Sequence, residues 1–118
     1  MTVEELLTIL HKRLDLIEYA EKLLDLGQPL ERETSAELYR VATVLRRLRH
    51  KLLEYVEANP LGEDEKTLLE YYAIISSTTE KQVVSKIALA LEDPDKEAEF
   101  ASDVEEVERL SSLIKEKV

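Results

Sequence analysis

The sequence contains no cysteine, and only two of its 118 residues are glycine and three are proline. Without cysteine there can be no disulfide framework, no thiolate zinc site and no cysteine nucleophile. So few glycines and prolines leave little material for β-hairpins or for loops that cradle phosphate. These absences argue against sheet-rich and disulfide-stapled folds, and they predict an all-α protein.

Long apolar runs are also missing. No apolar stretch approaches the roughly 20 residues that a membrane-spanning helix needs, and the N-terminus lacks the basic, apolar and small-residue pattern of a signal peptide. Hydrophobic residues make up 44% of the chain and charged residues 36%, which is typical of a soluble globular protein. We therefore expect a cytoplasmic protein with one domain over residues 1–118.

Negative charge dominates the chain and is unevenly distributed. The net charge is -10, and residues 1–59 carry 11 acidic and 9 basic side chains while residues 60–118 carry 15 and 7. A field of this sign repels phosphate backbones at long range, which disfavours general affinity for nucleic acid. The abundance of Glu, Lys and Arg, with no Cys and one Met, is also typical of thermophilic proteins.

The first predicted helix begins at a capping box of Thr2 and Glu5 and runs to about Leu26. Gly27 can adopt the left-handed conformation that often follows a helix end. Apolar residues recur along this segment at spacings of three, four and seven. The predicted inward residues are Val3, Leu7, Leu10, Leu14, Ile17 and Leu24.

The second predicted helix begins within residues 31–35, where Thr34 or Ser35 can supply the cap oxygen. It must end near Asn59, because Pro60 disfavours helical geometry in the residue before it. Its nearly heptad seam predicts an antiparallel pair with the first helix at a shallow crossing angle of about 20°. The predicted inward residues are Leu38, Val41, Leu45, Leu48, Leu52 and Tyr55.

A third helix is predicted after the turn at residues 60–62, with acidic residues 63–65 in its first turn, where the helix dipole favours them. The hydroxyl residues 76–79 lie in its middle. Such side chains compete for backbone hydrogen bonds, which favours a kink or a break, and burial at a close helix crossing is the alternative. The predicted inward residues are Leu68, Tyr72, Ile75, Val83 and Ile87.

The fourth helix is predicted to follow Asp93, as cap, and Pro94, in the first helical position. Ser102 and Glu105 form another possible capping box, so the stretch before Ser102 can also be a separate turn. The predicted inward residues are Phe100, Val104, Val107, Leu110 and Ile114. The whole pattern predicts a single-domain antiparallel bundle of four to five long helices.

Motifs for catalysis and metal binding are lacking. The only histidines are His11 and His50, and neither stands three residues after a glutamate, so the Glu-x-x-His pattern of di-iron bundles is absent. Both histidines lie beside cations, and we expect both to be solvent-exposed. The sequence contains no glycine-rich phosphate loop and no nucleophile elbow. We therefore expect no catalytic residue, no cofactor and no metal.

Basic residues cluster on the second helix, opposite its apolar face, within about 140° of a helical wheel. Three interpretations stay open: a solvated face, a docking surface for an acidic protein, or a contact with nucleic acid. Glu54 and Glu57 dilute the cluster, and no aromatic residue is available within it to stack on a base. This predicted partner-binding set, the basic stripe, is Arg40, Arg46, Arg47, His50 and Lys51.

The same segment resembles a known family. Residues 37–57, the Pro-Leu-Gly turn and the acidic helix start that follows are similar to the helical A-domain of GINS subunits. That family combines Leu-Arg-x-Arg or Leu-Arg-x-x-Arg with a Lys-Leu step, and the resemblance covers about 55 of the 118 residues. It implies an assembly role beside the archaeal replicative helicase. The small β-rich B-domain of the family has no counterpart in the acidic residues 92–118. The matching residues are Leu45, Arg46, Arg49, Lys51, Leu52, Leu61 and Glu65.

These observations predict a non-catalytic interaction subunit of a larger complex. Leu68 and Leu69 are neighbours on the third helix, as are Tyr71 and Tyr72. Neighbouring residues of a helix point about 100° apart, so one narrow groove cannot bury all four side chains. We expect one side of this helix to meet another protein chain in a homodimer or a hetero-oligomer. The alternative is a small helical subunit of a nucleoprotein complex, as in CRISPR effectors, that contacts nucleic acid through the basic stripe.

Overall fold

A computed structural model describes residues 2–27, 29–58 and 60–118, and these form an all-α bundle with no strand among them. The predicted fold class is confirmed. The helix bounds are α1 Val3–Leu24, α2 Arg32–Ala58, α3 Glu63–Leu68, α4 Ile75–Leu91 and α5 Glu97–Lys117. A π-helical segment, Leu69–Ile74, joins α3 to α4, and a 3₁₀ turn, Pro94–Lys96, precedes α5.

The helices pack as a four-sided bundle, in which α3, the π segment and α4 together form the third helical segment. Helix α1 lies between α2 and α4, and α5 packs against the same two helices from the opposite corner. Successive segments run in opposite directions, since the N-terminal half of α1 packs with the C-terminal halves of α2 and α5. The molecule is elongated, with principal extents of 46 × 24 × 20 Å.

The helix ends follow most of the local signals. The Thr2 hydroxyl accepts a hydrogen bond from the backbone N–H of Glu5, as predicted. Gly27 has a φ of 88°, the left-handed conformation that glycine tolerates best. Helix α2 already begins at Arg32, so the predicted caps Thr34 and Ser35 lie inside the helix and that prediction is wrong. Helix α1 ends at Leu24, two residues before the predicted end at Leu26. Helix α2 extends to Ala58, next to the predicted end near Asn59, which itself lies outside the described residues.

The hydroxyl residues of the third segment do not break it. Ser76 and Ser77 are buried, and their hydroxyls donate to the backbone carbonyls of Tyr72 at 2.5 Å and Ala73 at 2.6 Å. The alternative of burial is therefore correct for Ser76 and Ser77 and wrong for Thr78, which is exposed. The irregularity lies upstream in the π segment. At the fourth helix, Asp93 accepts a hydrogen bond from the backbone N–H of Asp95, which confirms it as a cap.

The core consists of two apolar clusters, one toward each end of the bundle. The first contains Leu6, Leu10, Leu52, Leu53, Tyr55, Val56, Leu69, Ala73, Leu110 and Ile114. The second contains Ile17, Ala20, Leu38, Val41, Ala42, Leu45, Val83, Val84, Ile87 and Phe100. The predicted inward face of α2 is buried along its whole length. No helix among the described residues is long and apolar enough to cross a membrane.

The predicted inward faces of the first and third helices need correction. Leu7 and Leu14 are only half-buried, and Val3 is 40% exposed. Ile75 is 67% exposed, while Leu69 is fully buried. The buried face of each helix is rotated about the helix axis relative to the predicted one. The reason is that small or charged residues occupy core positions that large apolar residues were expected to fill.

Candidate functional site

A layer of charged side chains separates the two apolar clusters. It contains two arginines and two carboxylates, one from each helical segment, and none is more than 1% exposed. These residues, which we call the ionic layer, are Arg13 of α1, Arg49 of α2, Glu80 of α4 and Asp103 of α5. The layer is electrically balanced, as burial of charge requires.

Glu80 lies at the centre of the ionic layer and pairs with both arginines. Its Oε2 accepts a hydrogen bond from Arg13 Nε at 2.5 Å, and its Oε1 accepts one from Arg49 Nη1 at 2.8 Å. Arg49 Nη2 donates to Asp103 Oδ1 at 2.6 Å. Arg13 Nη1 donates to the Ser76 hydroxyl at 2.7 Å. The chain of contacts therefore crosses the bundle from α1 to α5.

This arrangement is suited to specifying the fold. Every charge in it has a partner of opposite sign. Among the described residues no group of His, Asp and Glu side chains is arranged to hold a metal ion. Buried ionic groups can fix which helix faces meet, because any other register would leave a charge unpaired. We interpret the layer as a register device in the core.

The ionic layer was missed by sequence reasoning, although its signal is present. Arg13 stands three residues after Leu10 and four before Ile17, and Arg49 stands four after Leu45 and three before Leu52. A charged residue at core spacing on every helix is the pattern to look for. Apolar spacing alone does not reveal it, because that pattern treats only apolar side chains as core residues.

The basic stripe is divided, and Arg46 is not a free surface cation. Its Nε and Nη2 donate to Asp103 at 2.6 and 2.7 Å, and its Nη1 lies 2.7 Å from Glu99 Oε1. The hydrogen bonds to Asp103 raise the pKa of Arg46 above its already high ordinary value, against the opposing effect of burial. The expectation that the whole stripe faces away from the core is therefore wrong, because α5 packs against this edge of α2.

The other stripe residues remain at the surface. His50 Nε2 lies 2.7 Å from Glu106 of α5, and Arg40 pairs with Glu37 on its own helix. Arg47 and Lys51 are also exposed. The described structure thus turns two of the five predicted stripe residues, Arg46 and His50, toward carboxylates of α5.

Glu99 illustrates how α5 is held against α2. Burial alone would raise the pKa of this carboxyl, but hydrogen bonds from Arg46 and from Tyr39, the latter at 2.9 Å, favour the charged form. The balance lowers the pKa of Glu99 below its ordinary value. The charged form of this carboxyl is therefore more stable in the folded protein than in the unfolded chain.

The third helical segment presents an uncharged surface to solvent. Three of its large apolar side chains are mostly exposed: Leu89 by 76%, Ile75 by 67% and Tyr71 by 63%. They lie on one line with three small or neutral polar residues, at alternating spacings of four and three. This outward face is Tyr71, Ile75, Thr78, Gln82, Ser85 and Leu89, all of them exposed.

Residues 71–91, which contain the outward face, include no exposed carboxylate. The charged residues in that stretch are Glu80, which is buried, and Lys81 and Lys86. Lys81 lies 2.5 Å from Glu108 of α5. Beside Leu89, a shallow and mostly apolar groove runs between α4 and α5 over the edge of Phe100. On a chain of net charge -10, this stretch is an exception.

No protein-family model, no curated protein and no solved structure matches this chain. Its function must therefore be inferred from its surfaces.

Proposed function

We propose that this protein is a non-catalytic assembly subunit and that it binds another protein through the outward face. The observation that carries the proposal is the alignment of three exposed apolar residues, Tyr71, Ile75 and Leu89, on one helix face without any charged residue between them on that face. Large apolar side chains that are exposed together on one uncharged face are a feature of interaction sites. This alignment also fits the expectation that Tyr71 and Tyr72 cannot share one groove.

The spacing of the outward face indicates how a partner binds. Residues that alternate at four and three positions form the seam along which a second helix packs. The intervening Thr78, Gln82 and Ser85 are short or neutral, so they allow close approach and can form hydrogen bonds across the seam. A partner helix with apolar residues at the same spacing fits this surface.

The resemblance to GINS A-domains supports an assembly role of this kind and makes archaeal DNA replication a setting in which to look for it. The residues that carry the resemblance have structural positions that suit such a role only in part. Leu45 and Leu52 are core residues, and Arg49 belongs to the ionic layer. They maintain the fold of the subunit, and its contacts with other proteins are assigned to the outward face.

The alternative, a nucleoprotein subunit, depends on the basic stripe. Arg47 and Lys51 are exposed and one helical turn apart, and Arg40 lies further along the same helix. Because Arg46 pairs with Asp103 and Glu99, fewer cations remain for phosphate contacts. The two functions differ in salt dependence, since affinity from phosphate contacts falls steeply as salt rises.

Capture of partners from the source cells tests the proposed function. Tagged wild-type protein should retain a partner in stoichiometric amount, which includes an untagged copy of the chain itself. Ile75→Glu should lose that partner, because it places a charge on the apolar seam, whereas the control Lys51→Glu should keep it. Capture that is equal for wild type and Ile75→Glu would contradict the proposal.

Binding to single-stranded DNA and RNA tests the alternative. The assembly role predicts no measurable affinity at moderate salt. A salt-dependent affinity that Arg47→Glu and Lys51→Glu abolish would favour the nucleoprotein subunit instead.

A further inference from the structure

We infer that the partner on the outward face is a basic amphipathic helix of another protein, with lysine or arginine side chains at the end that covers Leu89. This inference rests on the proposed function, because it names the chemistry of the partner on the same face. Two features around Leu89 carry it: an apolar groove on each side of this residue, and unpaired carboxylates that line the same grooves.

Leu89 stands between two grooves near the C-terminal end of α4. It is 76% exposed, more than any other large apolar side chain among the described residues. One groove, of about 400 Å³, lies between the last turns of α1 and α4, and Leu24 and Ala90 contribute to its lining. The other, of about 380 Å³, lies between α4 and α5, where Phe100 and Val104 line it. A partner helix that covers Leu89 can therefore place an apolar side chain in the groove on each side.

Carboxylates line both grooves. Glu21, Asp25 and Glu92 belong to the first groove and Glu97 to the second, and all four are exposed. None of the four has an ion pair within the part of the chain that the structure describes. Of the described residues that line the two grooves, one is basic, Lys86 in the first. The surroundings of Leu89 are therefore negatively charged.

The helix ends add to this negative charge. Helices α1 and α4 both end beside the first groove. The C-terminal end of a helix has unpaired carbonyl groups and a partial negative charge, which basic residues usually balance. The last turn of α4 has no basic residue, and Lys22, in the last turn of α1, is not among the residues that line the groove. Carboxylates at this place are electrostatically unfavourable in the isolated chain, and a cationic partner would offset that cost.

Charge complementarity distinguishes this partner from others. A second copy of the chain, also with a net charge of -10, would bring the same carboxylates together. An anionic membrane or a nucleic acid would be repelled for the same reason. On a basic helix, by contrast, cationic side chains can pair with the groove carboxylates while apolar side chains cover Tyr71, Ile75 and Leu89.

Binding of two synthetic peptides tests the inference. Both are helices of about 18 residues, which is long enough to cover the outward face at a rise of 1.5 Å per residue. Both have leucine at alternating spacings of three and four, and the remaining positions are lysine in one peptide and glutamate in the other. The wild-type chain should bind the leucine–lysine peptide, with an affinity that falls as salt is raised, and should not bind the leucine–glutamate peptide. Equal affinity for the two peptides, or no binding of either, would overturn the inference.

Two triple variants of equal net charge separate a local effect from a general one. The site variant replaces the three carboxylates of the first groove with their amides. The control variant is Glu4→Gln with Glu54→Gln and Glu116→Gln, all exposed and at the opposite end of the bundle. The site variant should bind the leucine–lysine peptide about tenfold more weakly than the wild type, and the control should stay within about twofold of it. Equal losses would mean that the peptide responds only to net charge, and the inference would be wrong.

The melting temperature of the site variant provides a check on its fold. This variant removes negative charge from two helix C-termini, so it should melt no lower than the wild type. A clearly lower melting temperature would contradict the electrostatic argument.

Leu89→Ser tests the apolar part of the site. Because Leu89 is mostly exposed, the variant should be as stable as the wild type, yet it should bind the leucine–lysine peptide at least about threefold more weakly. Val118→Ser, which changes an exposed apolar residue at the other end of the bundle, is the control and should bind like the wild type. Unchanged binding by Leu89→Ser would show that the peptide does not cover this residue.

This inference and the proposed function fail in different ways. If Ile75→Glu loses a partner captured from cells but the site variant binds the leucine–lysine peptide as the wild type does, the basic partner is wrong and the assembly role stands. If Ile75→Glu captures the same proteins as the wild type, the assembly role through this face is wrong.

Discussion

At the scale of single residues, the main feature is a set of four charged side chains that are buried in the core. Arg13, Arg49, Glu80 and Asp103 stand at positions where the helical spacing calls for apolar side chains. Burial of any one of these charges alone would cost free energy, and the opposite charges beside it offset that cost. The layer therefore makes each of the four helical segments depend on the correct placement of the others.

Arg49 tests the ionic layer. Arg49→Met removes the positive charge between Glu80 and Asp103 and leaves carboxylates with incomplete compensation in the core. We expect a loss of about 3–5 kcal/mol in the free energy of unfolding, measured by urea denaturation. Arg47→Met makes the same change at an exposed position of the same helix and should cost less than about 0.5 kcal/mol. Similar losses for both variants would mean that the layer is not a closed unit.

Within the basic stripe, Arg46 is paired with carboxylates of α5, whereas Arg47 is exposed. Arg46→Glu places a third carboxylate beside Asp103 and Glu99, and we expect it to cost about 2–3 kcal/mol of stability. Arg47→Glu should have little effect on the melting temperature. The double variant should behave like Arg46→Glu alone. A double variant as stable as the wild type would show that Arg46 is available to an external partner.

Glu99 gives the protein a defined dependence on pH. Because its pKa is lower in the folded than in the unfolded state, it stabilises the fold above the unfolded pKa, and this stabilisation is lost as the pH falls through the lowered value. Glu99→Gln should therefore flatten the acid limb of the stability curve, measured by thermal unfolding between about pH 3 and 7. Glu105→Gln, at an exposed position of α5, is the control. An unchanged acid limb for Glu99→Gln would contradict this assignment.

At the scale of elements, the sequence predicts the helices well and their faces less well. Composition, capping residues and apolar spacing are local, and they yield the four segments and the caps at Thr2 and Asp93. The faces depend on which helix packs where. In α1 the buried residues include Arg13 and Ala20. The spacing of large apolar residues predicts Leu7 and Leu14 there instead.

The third segment shows the same effect more strongly. Its buried line runs through Leu69, Ala73, Ser76, Glu80 and Val83, of which three are small or polar. Counting large apolar residues instead joins parts of two different faces, and it places Ile75 in the core although Ile75 is mostly exposed. Only tertiary contacts, such as those of Glu80 with two arginines, decide between these faces.

Leu48 and Leu14 test the corrected faces. From spacing alone both residues are predicted to be buried, and a change to alanine would cost about 2–5 kcal/mol at each. Leu48 is only 5% exposed, whereas Leu14 is half-buried. We now expect about 2–5 kcal/mol for Leu48→Ala and clearly less for Leu14→Ala, by chemical denaturation. Equal losses would mean that α1 is rotated relative to the structure described above.

At the scale of the whole molecule, the inward side chains of the bundle are packed against one another, whereas the outward face leaves large apolar side chains exposed. The two apolar clusters and the ionic layer account for the inward side of every helix. The chain has 26 acidic and 16 basic side chains, while the outward face of the third segment is uncharged. The sequence indicates that Tyr71 and Tyr72 cannot share one groove, but the line from Tyr71 to Leu89 emerges only when the buried face is known.

Hydroxyl-radical footprinting of the assembled protein tests most directly the claim that the outward face binds a partner. Tyr71, 63% exposed in the single chain, should become protected in the assembly purified from cells. Tyr19, 37% exposed and hydrogen-bonded to Glu37 on the α1–α2 side, is the internal control and should be oxidised at the same rate in both states. Oxidation of Tyr71 at an unchanged rate in the assembly would contradict the claim.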